Sequence, residues 1–256
     1  MSYAVCCVPV APLRMQPDHK VEMVSQLLFG EYCTIIDTGN NGWVHIVCKA
    51  DAYSGWCQLA QVQKISDVVY NNPDQVLAAG WINELDYNEQ VMMVPFGSSL
   101  TAIKNGKIVW GKNEIEFDGE LWKPAKIKRD AATIQQIAFT FLNTAYLWGG
   151  RSVFGIDCSG FAQMVFKFLN YPLLRDAQHQ ATQGETVIFL QQARCGDLAF
   201  FDDAAGEIIH VGILLNEHEI IHASGKVRID KIDNQGIVNV DTGERTHKLR
   251  IIKRYF

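Results

Sequence analysis

Short hydrophobic, β-branched runs alternate with turn-forming segments throughout the first half of the chain. The runs YCTIID, WVHIVC and WCQLA are separated by TGNNG and KADAYSG, and a looser set of runs follows from VMMVPFGSSL to GKNEIEFDGELW. This spacing is typical of small barrels and sandwiches. It predicts an all-β half made of two small barrels, residues 1–66 and 67–128, with one larger β domain as the alternative.

From residue 129 onward the hydrophobic period changes. DAATIQQIAFTFLNTAY has apolar residues at helical spacing, and a second helix is predicted after Cys158, ending before Pro172. Its predicted apolar face is Phe161, Met164, Val165, Phe168 and Leu169. The strands GDLAFF, HVGILL, EIIHAS and HKLRIIKRYF follow. Helices followed by antiparallel strands predict an α+β domain over residues 129–256.

Composition narrows the class of protein. The 256 residues are 48% hydrophobic and 20% charged with a formal net charge of −5, as expected for a globular protein. The sequence has no cluster of Lys and Arg of the kind that would indicate a nucleic-acid partner. No run reaches the roughly 20 apolar residues of a membrane span. The start of the chain lacks a secretory signal pattern, which predicts a cytoplasmic protein, or an exported one if a native signal peptide precedes it. We expect a monomer without cofactor or metal.

One of the seven cysteines has a distinctive position. Cys158 follows Asp157, a residue suited to cap a helix, so the thiol is predicted to lie in the first helical turn. The unpaired N–H groups there favour negative charge and should lower the pKa of the thiol. Ser159 and Gly160 are small enough to let a substrate approach. We therefore interpret Cys158 as a nucleophile and the other cysteines as reduced structural residues.

Two histidines are placed to serve this cysteine. His210 and His222 lie 12 positions apart in the runs HVGILL and EIIHAS. A hairpin centred on Asn216 would set them directly opposite each other on one face. One imidazole could then be the base and the other its orienting partner. The remaining histidines are predicted to be surface or packing residues: His19, His45, His179, His218 and His247.

These motifs resemble a known family. The blocks YLWGGRSVFGIDCSGFAQ, GDLAFF, HVGILL and IIHASG occur in the order found in NlpC-type cysteine peptidases, papain-like enzymes that cut bacterial cell-wall peptides. The resemblance covers roughly residues 130–256. It implies a papain-like catalytic domain in which Cys158 is the nucleophile, His210 the general base and His222 the orienting residue.

The first half resembles a narrower group, which carries two bacterial SH3-like barrels before the catalytic domain. The matching pieces are PLRMQPDHKVEMVSQLLFGE and DAYSGW. Members are similar to γ-D-glutamyl-L-diamino-acid endopeptidases, which cleave murein peptides after D-glutamate and require a free N-terminal L-alanine. The resemblance implies the same substrate here. Since no signal pattern is found, we expect recycling of internalised cell-wall peptides rather than attack on intact wall.

Recognition of a free amine indicates which residues would bind the substrate. A buried ammonium group needs a carboxylate and further acceptors. Asp157 could supply the charge and Ser159 an acceptor. The resemblance adds the Tyr53 hydroxyl and Glu22, for which Glu31 is the alternative.

Trp148 of YLWGG is predicted beside the catalytic turn, contacting either substrate or core, and the glycines after it predict a tight turn or close backbone approach.

Two other functions remain open. One keeps the fold but performs amide hydrolysis or acyl transfer on another substrate, because Cys-His-His sets serve both reactions. The other is a non-catalytic wall-binding protein that uses its SH3-like barrels.

Overall fold

The computed structural model, which describes residues 2–256, divides into two units. The first unit runs to Lys126 and also includes Trp148–Phe154. The second consists of Ile127–Leu147 and Gly155–Phe256. Antiparallel strands form most of the regular secondary structure in both units, whereas the longer helices lie in the second.

The first sheet of the first unit has the strand order β3-β2-β6-β5-β4-β1-β7. Its strands are β1 (Ser2–Cys6), β2 (Val10–Arg14), β3 (Met23–Leu28), β4 (Tyr32–Thr38), β5 (Trp43–Cys48), β6 (Ser54–Gln58) and β7 (Val62–Lys64). Alternate residues such as Leu13, Val44 and Ile46 are buried in one core. The three runs predicted as strands are β4, β5 and β6, so the alternation identified them correctly.

The remainder of the first unit forms two smaller sheets, with the orders β10-β9-β12-β11 and β13-β8. The elements are α1 (Asp67–Tyr70), β8 (Leu77–Ala78), β9 (Ile82–Tyr87), β10 (Val91–Pro95), β11 (Lys107–Trp110), β12 (Asn113–Glu116), β13 (Leu121–Trp122) and β14 (Arg151–Ser152). Phe29 and Tyr32 share a core with Val94, Leu100 and Trp110 of this part. The division into barrels of residues 1–66 and 67–128 stays a prediction.

Helices α2 (Ala131–Phe139), α3 (Cys158–Phe168) and α4 (Ala177–Gln180) belong to the second unit. The first two confirm the predicted helices, although α2 ends earlier than its apolar pattern. The five residues predicted as one apolar face, four in α3 and Leu169 at its C-cap, are all buried, and so are nearly all the other residues of the helix. The helix is therefore enclosed on all sides rather than amphipathic.

The antiparallel sheet of the second unit has the order β16-β22-β17-β18-β19-β20-β21, and β21 also pairs with β22. The strands β17 to β22 thus close into a barrel. The strands of this unit are β15 (Gly155–Ile156), β16 (Glu185–Val187), β17 (Leu198–Asp202), β18 (Ile208–Leu214), β19 (Glu219–Ser224), β20 (Lys226–Asp233), β21 (Gly236–Val238) and β22 (Arg245–Arg254). Four of these eight strands were predicted, whereas β15, β16, β20 and β21 were not.

Short 3₁₀ turns complete the described residues, at Leu59–Gln61, Pro124–Lys126 and Leu190–Gln192. The seven cysteines, all within residues 2–256, are free thiols, as predicted. In the part of the chain that the structure describes, no helix has the length and apolar character needed to cross a membrane.

Candidate active site

Helix α3 begins at Cys158, where the sequence predicts it. The side chain of Asp157 accepts a hydrogen bond from the Gly160 N–H at 2.6 Å and caps the helix. This cap satisfies one of the N–H groups that lack a partner within the helix. Cys158 is buried, with only 7% of its surface exposed.

The electrostatic setting of Cys158 differs from the predicted one. Burial, together with the charge of Asp157, raises the pKa of the thiol to about 12. N–H groups of Val211 and Ser159 and the Arg175 charge act in the opposite direction on this pKa but do not offset the burial. The prediction of a lowered pKa was wrong because it counted the helix terminus and not desolvation of the sulfur. The site therefore favours a neutral thiol.

Arg175 forms a buried ion pair with the cap residue, a contact the sequence analysis missed. Its Nη2 lies 2.6 Å from Asp157 Oδ2, and its Nη1 lies 3.1 Å from Oδ1. Nη1 also donates to Ser159 Oγ at 2.8 Å. Asp157 and Ser159, two of the residues predicted to bind the substrate amine, thus both contact the Arg175 guanidinium. The charge of Asp157 is balanced within the protein before any substrate binds.

His210 and His222 contact each other on one face of the barrel sheet. His210 Nε2 and His222 Nδ1 lie 2.9 Å apart, and both residues are buried. The predicted register was wrong, because His222 pairs with Gly212 and not with His210. Leu215 N–H donates to Glu219 O, so the turn is centred on residue 217. The histidines are diagonal neighbours, a relation that keeps them on the same face.

The thiol lies against β18, the strand that carries His210. The Val211 N–H that hydrogen-bonds Cys158 belongs to the residue immediately after His210. Burial, with the neighbouring His222 and His247, lowers the pKa of His210 well below its ordinary value. The structure therefore brings a neutral thiol and a neutral imidazole together.

His247 also belongs to this cluster, contrary to its prediction as an unrelated surface or packing residue. Its ring stacks on His210 with centroids 4.2 Å apart and an interplanar angle of 26°. Burial lowers the pKa of His247 to about 4. The contact depends on pairing between the distant strands β17 and β22, which no local sequence pattern indicates.

Asp230 is a further buried residue that the sequence analysis missed. Its Oδ2 lies 2.9 Å from His222 Nε2, and both side chains are almost completely buried. His222 pairs with Arg228 across β19 and β20, so Asp230 is its diagonal neighbour. An alternating pattern with acid and base two residues apart, as in KVRID, is the signal that could have indicated this strand.

Tyr146 lies close to the nucleophile. Burial, followed by the charges of Cys158 and Asp157, raises the pKa of its phenol. The half-buried ring is thus a neutral hydrogen-bonding group beside the thiol.

Trp148 and Glu22 meet within the first unit. The Trp148 indole N–H donates to Glu22 Oε1 at 2.5 Å, and the Trp148 side chain is 61% exposed. Gly149 has a φ of +77°, and a Cβ there would lie 2.4 Å from the Met23 carbonyl oxygen. The predicted close backbone approach is confirmed at this glycine.

Glu31, the alternative to Glu22, has a different environment. It is buried, and its Oε2 lies 2.9 Å from Arg151 Nη1 and accepts the Leu28 N–H at 2.9 Å. Arg151 is itself buried and also donates to the Gln26 carbonyl. The Glu31 carboxylate is thus committed to internal contacts, whereas Glu22 is exposed.

Tyr53 is half-buried and packs against the core of the first sheet. Its proposed contact with substrate stays a prediction. Among residues 2–256, no group of three or more His, Cys, Asp or Glu side chains is arranged to hold a metal ion.

Two stretches of the chain match known families. Residues 143–246, which contain Cys158, His210 and His222, match the NlpC/P60 family. Residues 13–62 match the bacterial dipeptidyl-peptidase SH3 domain. The chain therefore carries an NlpC/P60 domain behind a bacterial SH3 domain, as its motifs predict.

Individual relatives extend over most of the chain. Gamma-D-glutamyl-L-lysine dipeptidyl-peptidase of Bacillus subtilis (strain 168) is 29% identical over 215 residues, which are 78% of this chain and 71% of that protein. Dipeptidyl-peptidase 6 of Lysinibacillus sphaericus is 25% identical over 266 residues, 91% of this chain and 92% of that protein. The crystal structure of an NlpC/P60 family protein from Bacillus cereus ATCC 10987 covers 99% of both chains with a TM-score of 0.82 at 21% identity, which shows a shared fold.

Proposed function

We propose that this protein is a cysteine endopeptidase that hydrolyses the γ-D-glutamyl-L-diamino-acid bond of murein peptides bearing a free N-terminal L-alanine. The observation that carries the proposal is the buried His210–His222 contact beside a thiol at a capped helix start, within an NlpC/P60 domain. Relatives named for γ-D-glutamyl-L-lysine peptides support the substrate class. We assign the catalytic domain, residues 129–256, to the papain-like α+β class.

The charge states of the site suggest the order of events. Cys158 Sγ attacks the γ-D-glutamyl carbonyl carbon while His210 takes the thiol proton, because a neutral pair requires transfer during attack. Backbone N–H groups at the start of α3 stabilise the oxyanion. His210 then protonates the leaving amine. Water, activated by the same imidazole, hydrolyses the thioester and restores the free thiol.

Specificity for a free amine would come from carboxylates and acceptors near the substrate N-terminus. We assign the charged contact to Glu22, whose carboxylate accepts the Trp148 indole N–H. Tyr53, Ser159 and Asp157 are assigned as further acceptors, since Arg175 already balances the Asp157 charge. Glu22 is preferred over Glu31, since Arg151 already pairs with the latter. An exposed carboxylate can exchange water for an ammonium group at little cost, whereas removing Glu31 from its partner would strand Arg151.

The released peptides would be short, as in recycling of cell-wall fragments in the cytoplasm. Acyl transfer to an amine instead of to water is the competing reaction for the same cysteine and histidines. Mass spectrometry separates the two outcomes, because hydrolysis adds one water to the substrate and transfer adds the acceptor.

A peptide panel tests the proposal. L-Ala-γ-D-Glu-L-Lys, its diaminopimelate analogue and their N-acetyl forms are incubated with the protein, and the products are identified by mass. We expect release of the diamino acid from the free peptides, and a loss of at least about 10²-fold in kcat/KM after acetylation. Glu22→Gln should reduce the preference for the free amine, whereas Glu120→Gln, a matched exposed control, should not. Equal turnover of free and acetylated peptides would overturn the assigned specificity.

A further inference from the structure

The carboxylate of Asp230 is engaged by donors on every side. Oδ2 accepts from Arg228 Nε at 2.8 Å and lies 2.9 Å from His222 Nε2. Oδ1 accepts from Arg228 Nη2 and from the Val240 N–H, both at 2.9 Å. Burial alone would raise the pKa of Asp230, but hydrogen bonds from His222, Arg228 and Val240 hold it well below its ordinary value. Asp230 is therefore an ionised group that only accepts hydrogen bonds.

The ionised carboxylate determines where His222 carries its proton. Since Asp230 has no hydrogen to donate, His222 Nε2 must carry the N–H that joins them. A neutral His222 then has its lone pair on Nδ1. That atom is 2.9 Å from His210 Nε2, so the latter must be the donor.

The same reasoning continues to the base itself. A neutral His210 with its proton on Nε2 has its only lone pair on Nδ1. The thiol proton of Cys158 must go to that nitrogen, because Nε2 is occupied by its bond to His222. The opposite tautomer would place an N–H where the base needs a lone pair.

We infer that Asp230, held by Arg228, is a positioning residue that fixes the tautomers of His222 and His210 so that His210 Nδ1 is free to accept the Cys158 proton. The set thus consists of nucleophile, base, orienting imidazole and buried carboxylate. Asp230 also remains bonded to His222 when His210 becomes charged, so no proton needs to move beyond His210 during catalysis. The role of this carboxylate in turnover rests on the proposed peptidase function.

The tautomers can be measured without any substrate. Long-range ¹H–¹⁵N correlation spectra of imidazole-labelled wild-type protein should show both His210 and His222 neutral and protonated on Nε2. A proton on Nδ1 of either ring, or a doubly protonated His222, would overturn the inference. Because this measurement needs no turnover, it stands even if the proposed substrate is not cleaved.

Asp230→Asn tests the consequence for catalysis. An amide nitrogen facing His222 would reverse its tautomer, whereas the opposite amide orientation would set a donor against the Val240 N–H. In a serine triad the equivalent change lowers kcat about 10⁴-fold. Here the His222 imidazole lies between the carboxylate and the base. We therefore expect kcat to fall on the order of 10²-fold and KM to stay within about threefold of the wild-type value.

Asp241→Asn is the matched control, since Asp241 contacts the same Arg228 at 2.9 Å but is exposed. It should change kcat less than about twofold. An Asp230→Asn protein that is folded by circular dichroism and retains full kcat would overturn the inference. If that variant does not fold, the wild-type tautomer spectra decide the question.

Discussion

Replacing Arg175 by Met isolates the energetic role of the buried ion pair under the nucleophile. The Arg175 side chain is 1% exposed and that of Asp157 is 9% exposed. The substitution keeps much of the aliphatic volume but removes three hydrogen bonds to Asp157 and Ser159. Asp157 would remain as a buried carboxylate with its main cationic partner removed.

The expected loss is large because both partners are desolvated. Breaking a buried ion pair from one side costs about 3–5 kcal/mol, while replacing both partners by neutral groups costs much less. Arg175→Met should therefore lower the free energy of unfolding by about 3–5 kcal/mol. The double variant Arg175→Met with Asp157→Asn should recover a substantial part of that loss. Such recovery is the non-additivity expected of groups in direct contact.

Urea unfolding followed by circular dichroism at 222 nm is the appropriate assay, because helices α2 and α3 lie in the second unit. All six tryptophans lie in the first unit, so their fluorescence reports the wrong part of the molecule. Alkylation of Cys158 by iodoacetamide gives a second readout. It should slow in Arg175→Met, since the Arg175 charge lowers the thiol pKa. A loss below about 1 kcal/mol, or no recovery in the double variant, would refute this reasoning.

Two further predictions concern His247 and Gly149. Since burial lowers the pKa of His247 from 6.5 to about 4, unfolding lets it bind a proton, and stability should fall as the pH drops through that window. His247→Phe keeps a stacking ring without a titrating group. Between pH 7 and 4.5, the free energy of unfolding of this variant should therefore fall less than that of the wild-type protein. Equal decreases in the two proteins would contradict this. Gly149→Ala should cost at least about 2 kcal/mol more than Gly111→Ala in urea unfolding followed by fluorescence, because both have positive φ but only Gly149 faces a backbone oxygen at 2.4 Å. Similar losses would show that the Met23 backbone yields.

Local features of the site follow closely from the sequence. An aspartate directly before a helical run is a favoured helix cap, and Asp157 caps α3 in this way. The position of Cys158 in the first helical turn was therefore predictable from neighbouring residues. The strands bearing His210 and His222 were predictable from their β-rich runs. Their shared face was also predictable, because the spacing is even. The true pairing is shifted by two positions from the predicted one, and such a shift keeps both side chains on the same face.

The remaining features depend on tertiary structure. The thiol pKa reflects burial by distant elements, so a helix-end argument predicted the wrong direction. Arg175, His247 and Asp230 reach the site from other elements of the second unit. The local sequence does not mark Arg175 or His247 as site residues, and the alternation of KVRID could have indicated only the strand that carries Asp230. The hairpin register is likewise not encoded by the hydrophobic pattern. Within the turn, the Asn216 side chain accepts the His218 N–H at 2.8 Å.

Hydrolysis of L-Ala-γ-D-Glu-L-Lys by Cys158→Ala tests the central claim most directly, with released L-Lys quantified by mass spectrometry. Cys195→Ala, which removes a half-buried thiol from the same unit, is the matched control. If Cys158 is the nucleophile, the wild-type protein and the control release L-Lys at similar rates, and the rate for Cys158→Ala falls by at least about 10⁴-fold. Turnover by Cys158→Ala at a rate near that of the control would contradict the account.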